Sequence, residues 1–364
     1  MCIRDRGIFG MSAKFAEAAL GVKYRHYPNP KDKSHVAGGP MYYLRAAFDK
    51  HNMPMVGKIL AGFFALCCIG GAAGAGNMFQ ANQAFQQVVN VTGGEAGFMA
   101  DKGWMFGIFL AILVGVVIIG GLKSIANVAS KIVPLMGGLY LLAGLAVIIL
   151  NYQNIPSGFA TIFQSALTPE AGFGAIIGAL LIGVQRAAFS NEAGIGSGAI
   201  VHATAKTDDH VSQGFVGMLG PFIDTIVICM VTALVIVMTG AYDGSEGMEG
   251  VSLTSRAFAS EFSWFPYVLA FIVFLFAYST MIAWFYYGLK GLHYLAGEKP
   301  IIEMIYKIIF CLFIVVGSSS ALGHIISFSD AVIFAMAIPN VVGLYLLAPE
   351  LKRDIEEYLQ NHDI

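Results

Sequence analysis

Apolar residues in this chain gather into long blocks instead of alternating with polar ones. The blocks run roughly 20 residues or more, the length a helix needs to cross a bilayer core of about 30 Å, and stretches bearing Gly, Pro and charge separate them. Block length and that punctuation predict eight full spans, at approximately 57–91, 104–121, 131–150, 173–200, 213–240, 264–289, 303–320 and 327–348, after a partial one at 7–22. Each must be helical, because in lipid a segment keeps its backbone hydrogen bonds internal only as a helix, and the runs are far longer than barrel strands. The predicted fold class is an all-α polytopic membrane protein: one transmembrane domain over residues 1–350 and a cytoplasmic tail at 351–364.

Loop charge tests that count, since Lys and Arg collect on the cytoplasmic side and the alternation must survive every crossing. It survives. Lys23, Arg25, Lys31, Lys33, Arg45 and Lys50 share one loop; Lys123 and Lys131, Lys206, Lys290 and Lys299, and the tail residues Lys352 and Arg353 fall on the same side. The opposite loops hold only Lys102 and Arg256, beside the acidic Asp243, Glu246 and Glu249, and 151–172 contains no basic residue.

Composition agrees: 57% of the 364 residues are hydrophobic and 12% charged, against about 25% charged in a soluble domain. A net charge of −2 with no long basic block excludes nucleic acid as a partner and leaves membrane lipid as the surroundings. The cysteines lack CxxC or CxxH spacing and sit mostly in apolar segments, so buried thiols are expected in place of disulfides or zinc. MCIRDR has no signal-peptide features and runs straight into a shortened apolar segment; the expectation is that the natural beginning lies upstream.

Against this background, Gln185–Gly198 (QRAAFSNEAGIGSG) is the most unusual stretch: two charges, two amides, hydroxyls and three glycines at membrane depth. Each glycine lowers helix preference by about 1 kcal/mol, so local unwinding is expected, with freed amides facing an anion such as a carboxylate and freed carbonyls facing a cation such as sodium. The plainer alternative is close helix packing with Arg186 and Glu192 as a structural ion pair; the depth of the charges favours function.

In 276–288, Ser279 and Thr280 precede Trp284, which shares a helix face with Thr280. Hydroxyls suit a hard alkali cation and an indole can wall a small side chain, while bonds to the helix's own carbonyls and an interfacial aromatic belt explain them equally well. In 70–82, glycines and alanines suit close packing, and Asn77, Gln80 and Asn82 need polar partners, one of which could be a ligand. Asp224 either supports a cation site or pairs with Arg186. Pro134 and Pro339-Asn340 read as kinks without chemistry, and His202, Lys206, Asp208, Asp209 and His210 as solvated loop residues.

The segment Phe189-Ser190-Asn191-Glu192-Ala193-Gly194 followed by His202-Ala203-Thr204-Ala205-Lys206-Thr207 resembles the alanine or glycine:cation symporters. Similar anchors recur in Met11–Ala18, Gly38–Tyr43, Gly76–Asn82, Phe222–Thr225, Ser279-Thr280 with Trp284, and Ala337–Asn340, so the resemblance covers nearly the whole chain. It implies a LeuT-type bundle of two inverted five-helix repeats, with 7–22 as the end of core helix two and 173–200 as the broken core helix six. The first core helix would be absent from this stretch, and the polypeptide by itself would then not transport.

By the same resemblance Phe189, Ser190 and Asn191 would flank the substrate, Trp284 would cap its side chain, Gln80 and Asn77 would supply polar contacts, and Ser279 and Thr280 would ligate sodium. Crowding by Phe189 and Trp284 suits alanine or glycine. No cofactor is implied, sodium being cargo, and the protein would be no enzyme. It would sit in a bacterial plasma membrane and work by alternating access, with sodium and substrate raising each other's affinity by one factor. The rivals are a proton-coupled permease of the same architecture, an ion channel, for which no carbonyl filter or charge ring is evident, and an intramembrane enzyme pairing Ser197 with His202.

Overall fold

A computed structural model describes residues 2–28, 36–167, 172–244, 248 and 250–362, and those residues form helices with no strand among them. In chain order they are α1 (Cys2–Lys23), α2 (Pro40–Lys50), α3 (Pro54–Val91), α4 (Gly103–Ile119), α5 (Gly121–Leu150), α6 (Ile155–Leu167), α7 (Gly172–Asn191), α8 (Ser197–His202), α9 (His210–Met238), α10 (Val251–Ala259), α11 (Phe265–Ala296), α12 (Pro300–Ser319) and α13 (Leu322–Asn361). Prolines open α2, α3, α11 and α12 within the first turn, where the missing N–H has no intrahelical acceptor to lose.

Six of these helices, α3, α5, α9, α11, α12 and α13, are long and apolar enough to cross a membrane. The 17 residues of α4 are apolar but shorter. Most predicted spans are found with shifted ends: α5 begins ten residues before the expected 131, and α13 continues past the expected 348 to Asn361. That extension is docked, since Leu351 is buried with Phe15, Ala19 and Val211, and Ile355 and Tyr358 pack beside them. The span predicted at 173–200 is interrupted where unwinding is expected: two helices, α7 and α8, flank 192–196. Three helices had no apolar block to announce them: α2, α6 and α10 lie in the segments between spans.

Two helices widen locally into π turns, at Gly74–Met78 in α3 and Phe222–Cys229 in α9. Such turns commonly accompany functional positions in helices. The main core joins α2, α3, α4, α11, α12 and α13 around Tyr43, Phe64, Leu110, Phe285 and Phe310, all nearly inaccessible. A second cluster packs Tyr140, Val235, Phe258 and Leu269 from α5, α9, α10 and α11. The outside is apolar as well: Ile112, Val116 and Ile119 of α4 and Ile301 and Leu312 of α12 are largely exposed. So much exposed apolar surface is stable in lipid and not in water.

Candidate functional site

The interruption between α7 and α8 forms because the backbone must turn left-handed three times in five residues. Glu192, Gly194 and Gly196 have φ of 57°, 86° and 88°, a region nearly free of cost for glycine and costing other residues about 1–2 kcal/mol. A Cβ on Gly196 would stand 2.7 Å from Pro40 Cγ and 2.8 Å from Phe64 Cε2, so the position has no room for a side chain. Asn191 terminates α7: its Oδ1 accepts from the Ala193 amide at 2.9 Å and its Nδ2 donates to Thr225 Oγ1 at 2.9 Å.

Charged and amide side chains from two other helices bind this turn. Lys14 Nζ of α1 donates to the carbonyls of Asn191 and Glu192 at 3.3 and 3.5 Å. One turn on, Glu17 Oε1 accepts from the Gly196 amide at 2.9 Å and from Asn340 Nδ2 of α13 at 2.8 Å. Asn340 also donates to the Gly194 carbonyl at 2.9 Å and accepts from the Tyr43 hydroxyl. Lys14, Glu17, Tyr43 and Asn340 are all buried. A freed amide does meet a carboxylate here, but the carboxylate is the protein's own. Asn340, read from sequence as a kink residue, binds three partners.

Neither of the ion pairs offered as alternatives for Arg186 forms. Arg186 pairs with Asp330 of α13, not with Glu192 or Asp224. Glu192 accepts from Ser197, and Asp224 from Ser190 at 2.6 Å and Thr225 at 3.1 Å. Thr225 sits in the π turn of α9, so the end of α7 is tied to that helix through both Ser190 and Asn191.

Of the remaining predicted residues, Phe189 is half-buried and edge-on to Phe79 of α3, their centroids 4.9 Å apart, and the Arg186 guanidinium lies 5.5 Å from its ring centre. Trp284 of α11 is buried against Gly71 and Gly76 of α3, where a Cβ on Gly76 would overlap the indole. Both rings thus bear on the one stretch of α3 that includes its π turn. Gln80, the neighbour of Phe79, donates to the Ala75 carbonyl at 3.1 Å across that turn. Asn77 faces away: its Nδ2 donates to the Phe310 carbonyl of α12 at 2.7 Å. Ser279 Oγ donates to Phe276 O at 3.0 Å and lies 3.5 Å from Met136 Sδ, while Thr280 is half-buried beside it. A hydroxyl that gives its hydrogen to a carbonyl keeps its oxygen lone pairs free for a cation.

Lys14 and Glu17 carry no assigned chemistry in the sequence reading, although the signal was present. Two charges three residues apart in an apolar segment share one helix face, and ionisable groups at that depth point to function.

A multi-pass helical bundle with a broken span, lined by buried charges and glycine, is a membrane protein of transporter type. The chain belongs to the sodium:alanine symporter family, whose family model matches residues 5–363. It is 41% identical to a sodium/alanine symporter of Methanococcus maripaludis over 93% of this chain and 72% of that protein. An amino-acid carrier protein of Bacillus subtilis is 31% identical over 96% of this chain and 71% of its own length. A probable sodium/glutamine symporter of the same species is 30% identical over 96% and 70%.

Proposed function

We propose that this protein imports a small neutral amino acid, alanine or glycine, together with sodium, by alternating access in a LeuT-type bundle of the bacterial plasma membrane. The observation that carries this reading is the interruption at 192–196, where a span gives up its regular hydrogen bonds beside an aromatic side chain of α3 and a hydroxyl of α9. Lipid tolerates such backbone only where protein or a water-filled cavity receives it.

In this reading Phe189 and Trp284, both packed on the 71–79 stretch of α3, limit the size of the substrate side chain, and Gln80, Ser190 and Asn191 offer polar contacts. Asn77, tied to Phe310, acts by fixing the π turn. Ser279 and Thr280 offer hydroxyl oxygens to sodium. The substrate carboxylate cannot use the Gly196 amide while Glu17 holds it, so it must draw on other donors. Substrate identity is read from the crowding of two aromatic rings; the glutamine-directed relative shows that names within the family differ in substrate.

The test is uptake of radiolabelled alanine into proteoliposomes holding the complete protein that carries this chain, with sodium or choline outside. Sodium-dependent accumulation is expected, and alanine substitution of Phe189, Thr280 or Trp284 should lower it by about tenfold or more. Uptake indifferent to sodium, or currents insensitive to amino acid, would replace this reading with a proton-coupled permease or a channel.

A further inference from the structure

Lys14 and Glu17 occupy successive turns of one face of α1, and the two ends of the interruption lie against them. The ammonium meets the carbonyls that α7 can no longer satisfy, at Asn191 and Glu192. The carboxylate meets the amide of the last left-handed residue, Gly196. The α1 backbone follows the break closely: a Cβ on Gly10 would lie 3.1 Å from Ala193 Cβ, and one on Gly21 would collide with the Ala199 carbonyl. Both side chains are buried, and Glu17 Oε2 has no hydrogen-bond partner.

A helix-packing role does not call for this. Two apolar residues would join α1 to α7 and α8 without the desolvation that a buried carboxylate and ammonium incur. What the charges do, and apolar residues cannot, is satisfy unpaired backbone groups on both sides of the break. An unsatisfied carbonyl or amide in a dry interior would drive the turn back into continuous helix or into another arrangement. Continuous helix would rotate Phe189, Ser190 and Asn191 relative to everything after them.

We propose that Lys14 and Glu17 are positioning residues for transport, holding the two sides of the interruption at a fixed separation so that Phe189, Ser190 and Asn191 present one geometry to the substrate. Asn340 and Tyr43 complete the support of Glu17 from α13 and α2. The proposal rests on the symporter reading and deepens it, since it names what shapes that site.

The experiment compares the protein with E17A, E17Q, K14M and K14R in lipid nanodiscs and proteoliposomes, by hydrogen exchange of the 190–198 segment and by alanine uptake kinetics. In E17A, loss of a charge-assisted bond to Gly196 should speed exchange there by about tenfold or more, and the KM for alanine should rise about as much with the maximal rate changed less. E17Q keeps an acceptor oxygen and should fall between. K14R, which keeps donors to the carbonyls, should recover most of what K14M loses. Should E17A not fold, E17Q and the two Lys14 variants decide the matter. The proposal is overturned if these variants lower only the amount of folded protein, leaving exchange at 190–198 and KM within twofold of the parent. If the parent shows no sodium-dependent uptake, the symporter reading fails by itself, and exchange still tells whether the two charges hold the turn.

Discussion

Helix α1 meets α13 through charged side chains at two places, and the two meetings are built on opposite principles. At mid-helix, Glu17 and Asn340 are buried and bind each other and the backbone of the turn at Gly194 and Gly196. At the basic end, Lys23 lies 2.7 Å from Glu350 and also pairs with Asp354, while Lys50, Tyr24 and His210 complete a partly exposed cluster with the same two carboxylates. In the first, charge fixes a backbone conformation. In the second, charge meets charge where water can replace either partner. The first kind resists exchange and defines geometry; the second can be dissolved and re-formed by a moving helix at little cost, because exposed ion pairs contribute only about 0–1 kcal/mol each.

The sharpest way to break this contrast is Gly196→Ala. An alanine there would carry the left-handed φ of 88° and place its Cβ within 2.9 Å of Asn340 Cγ as well as against Pro40 and Phe64. Left-handed strain and overpacking together should cost on the order of 3 kcal/mol. A marked fall in thermal midpoint and loss of uptake are expected. Gly137→Ala in α5, where nothing stands within 4 Å of the added methyl, should be neutral or slightly stabilising. Equal effects at the two glycines would mean that the turn is not held as described.

Asn340→Ala comes next. It deprives the Glu17 carboxylate, the Gly194 carbonyl and the Tyr43 hydroxyl of one partner each, all in a dry interior. A loss of about 2–3 kcal/mol is expected in denaturant or thermal titrations. A loss below about 0.5 kcal/mol, the size of an ordinary surface substitution, would place the amide outside the support of the turn.

Much of this architecture was legible in the sequence because hydropathy acts over whole helices. Block length alone located the spans, and the glycines at 194 and 196 announced the interruption by their backbone freedom. What pairs with what was not legible. Arg186 finds Asp330, 144 residues away, and Glu17 finds Asn340, 323 residues away; such pairings depend on how helices stack, which no local pattern encodes. The helices α2, α6 and α10 escaped because they lie outside the long apolar blocks. Sequence leaves Ser279 evenly between a sodium ligand and a bond to its own helix; the hydroxyl does make the helix bond, and its oxygen remains available for the other role.

The Arg186–Asp330 pair belongs with the second kind, its side chains 34% and 23% exposed against 24% and 18% for Lys23 and Glu350. Asp330→Asn keeps the shape and removes the charge. A stability loss of about 1 kcal/mol is expected, together with a looser Phe189 ring, since the guanidinium that lies over it would lose its anchor. A loss as large as that of Asn340→Ala would erase the distinction between buried and rim electrostatics.

The smallest effect belongs to Glu350. Burial by itself would raise its carboxyl, but hydrogen bonds from Lys23, Lys50 and Tyr24 outweigh burial and hold it down at about 2, against an ordinary 4.5. A carboxyl held below its unfolded value contributes stability that is complete above about 4.5 and fades as pH falls toward 2. Thermal midpoints of the detergent-solubilised protein should therefore decline across that acid window. Glu350→Gln should flatten the decline while lowering stability at neutral pH by no more than about 1 kcal/mol, since water screens the exposed side of the cluster. The double variant Glu350→Gln/Asp354→Asn should leave exchange at 190–198 unchanged. If it instead loosens that segment, the basic-end cluster and the mid-helix turn are coupled through α1 and α13, and the two electrostatic designs act as one.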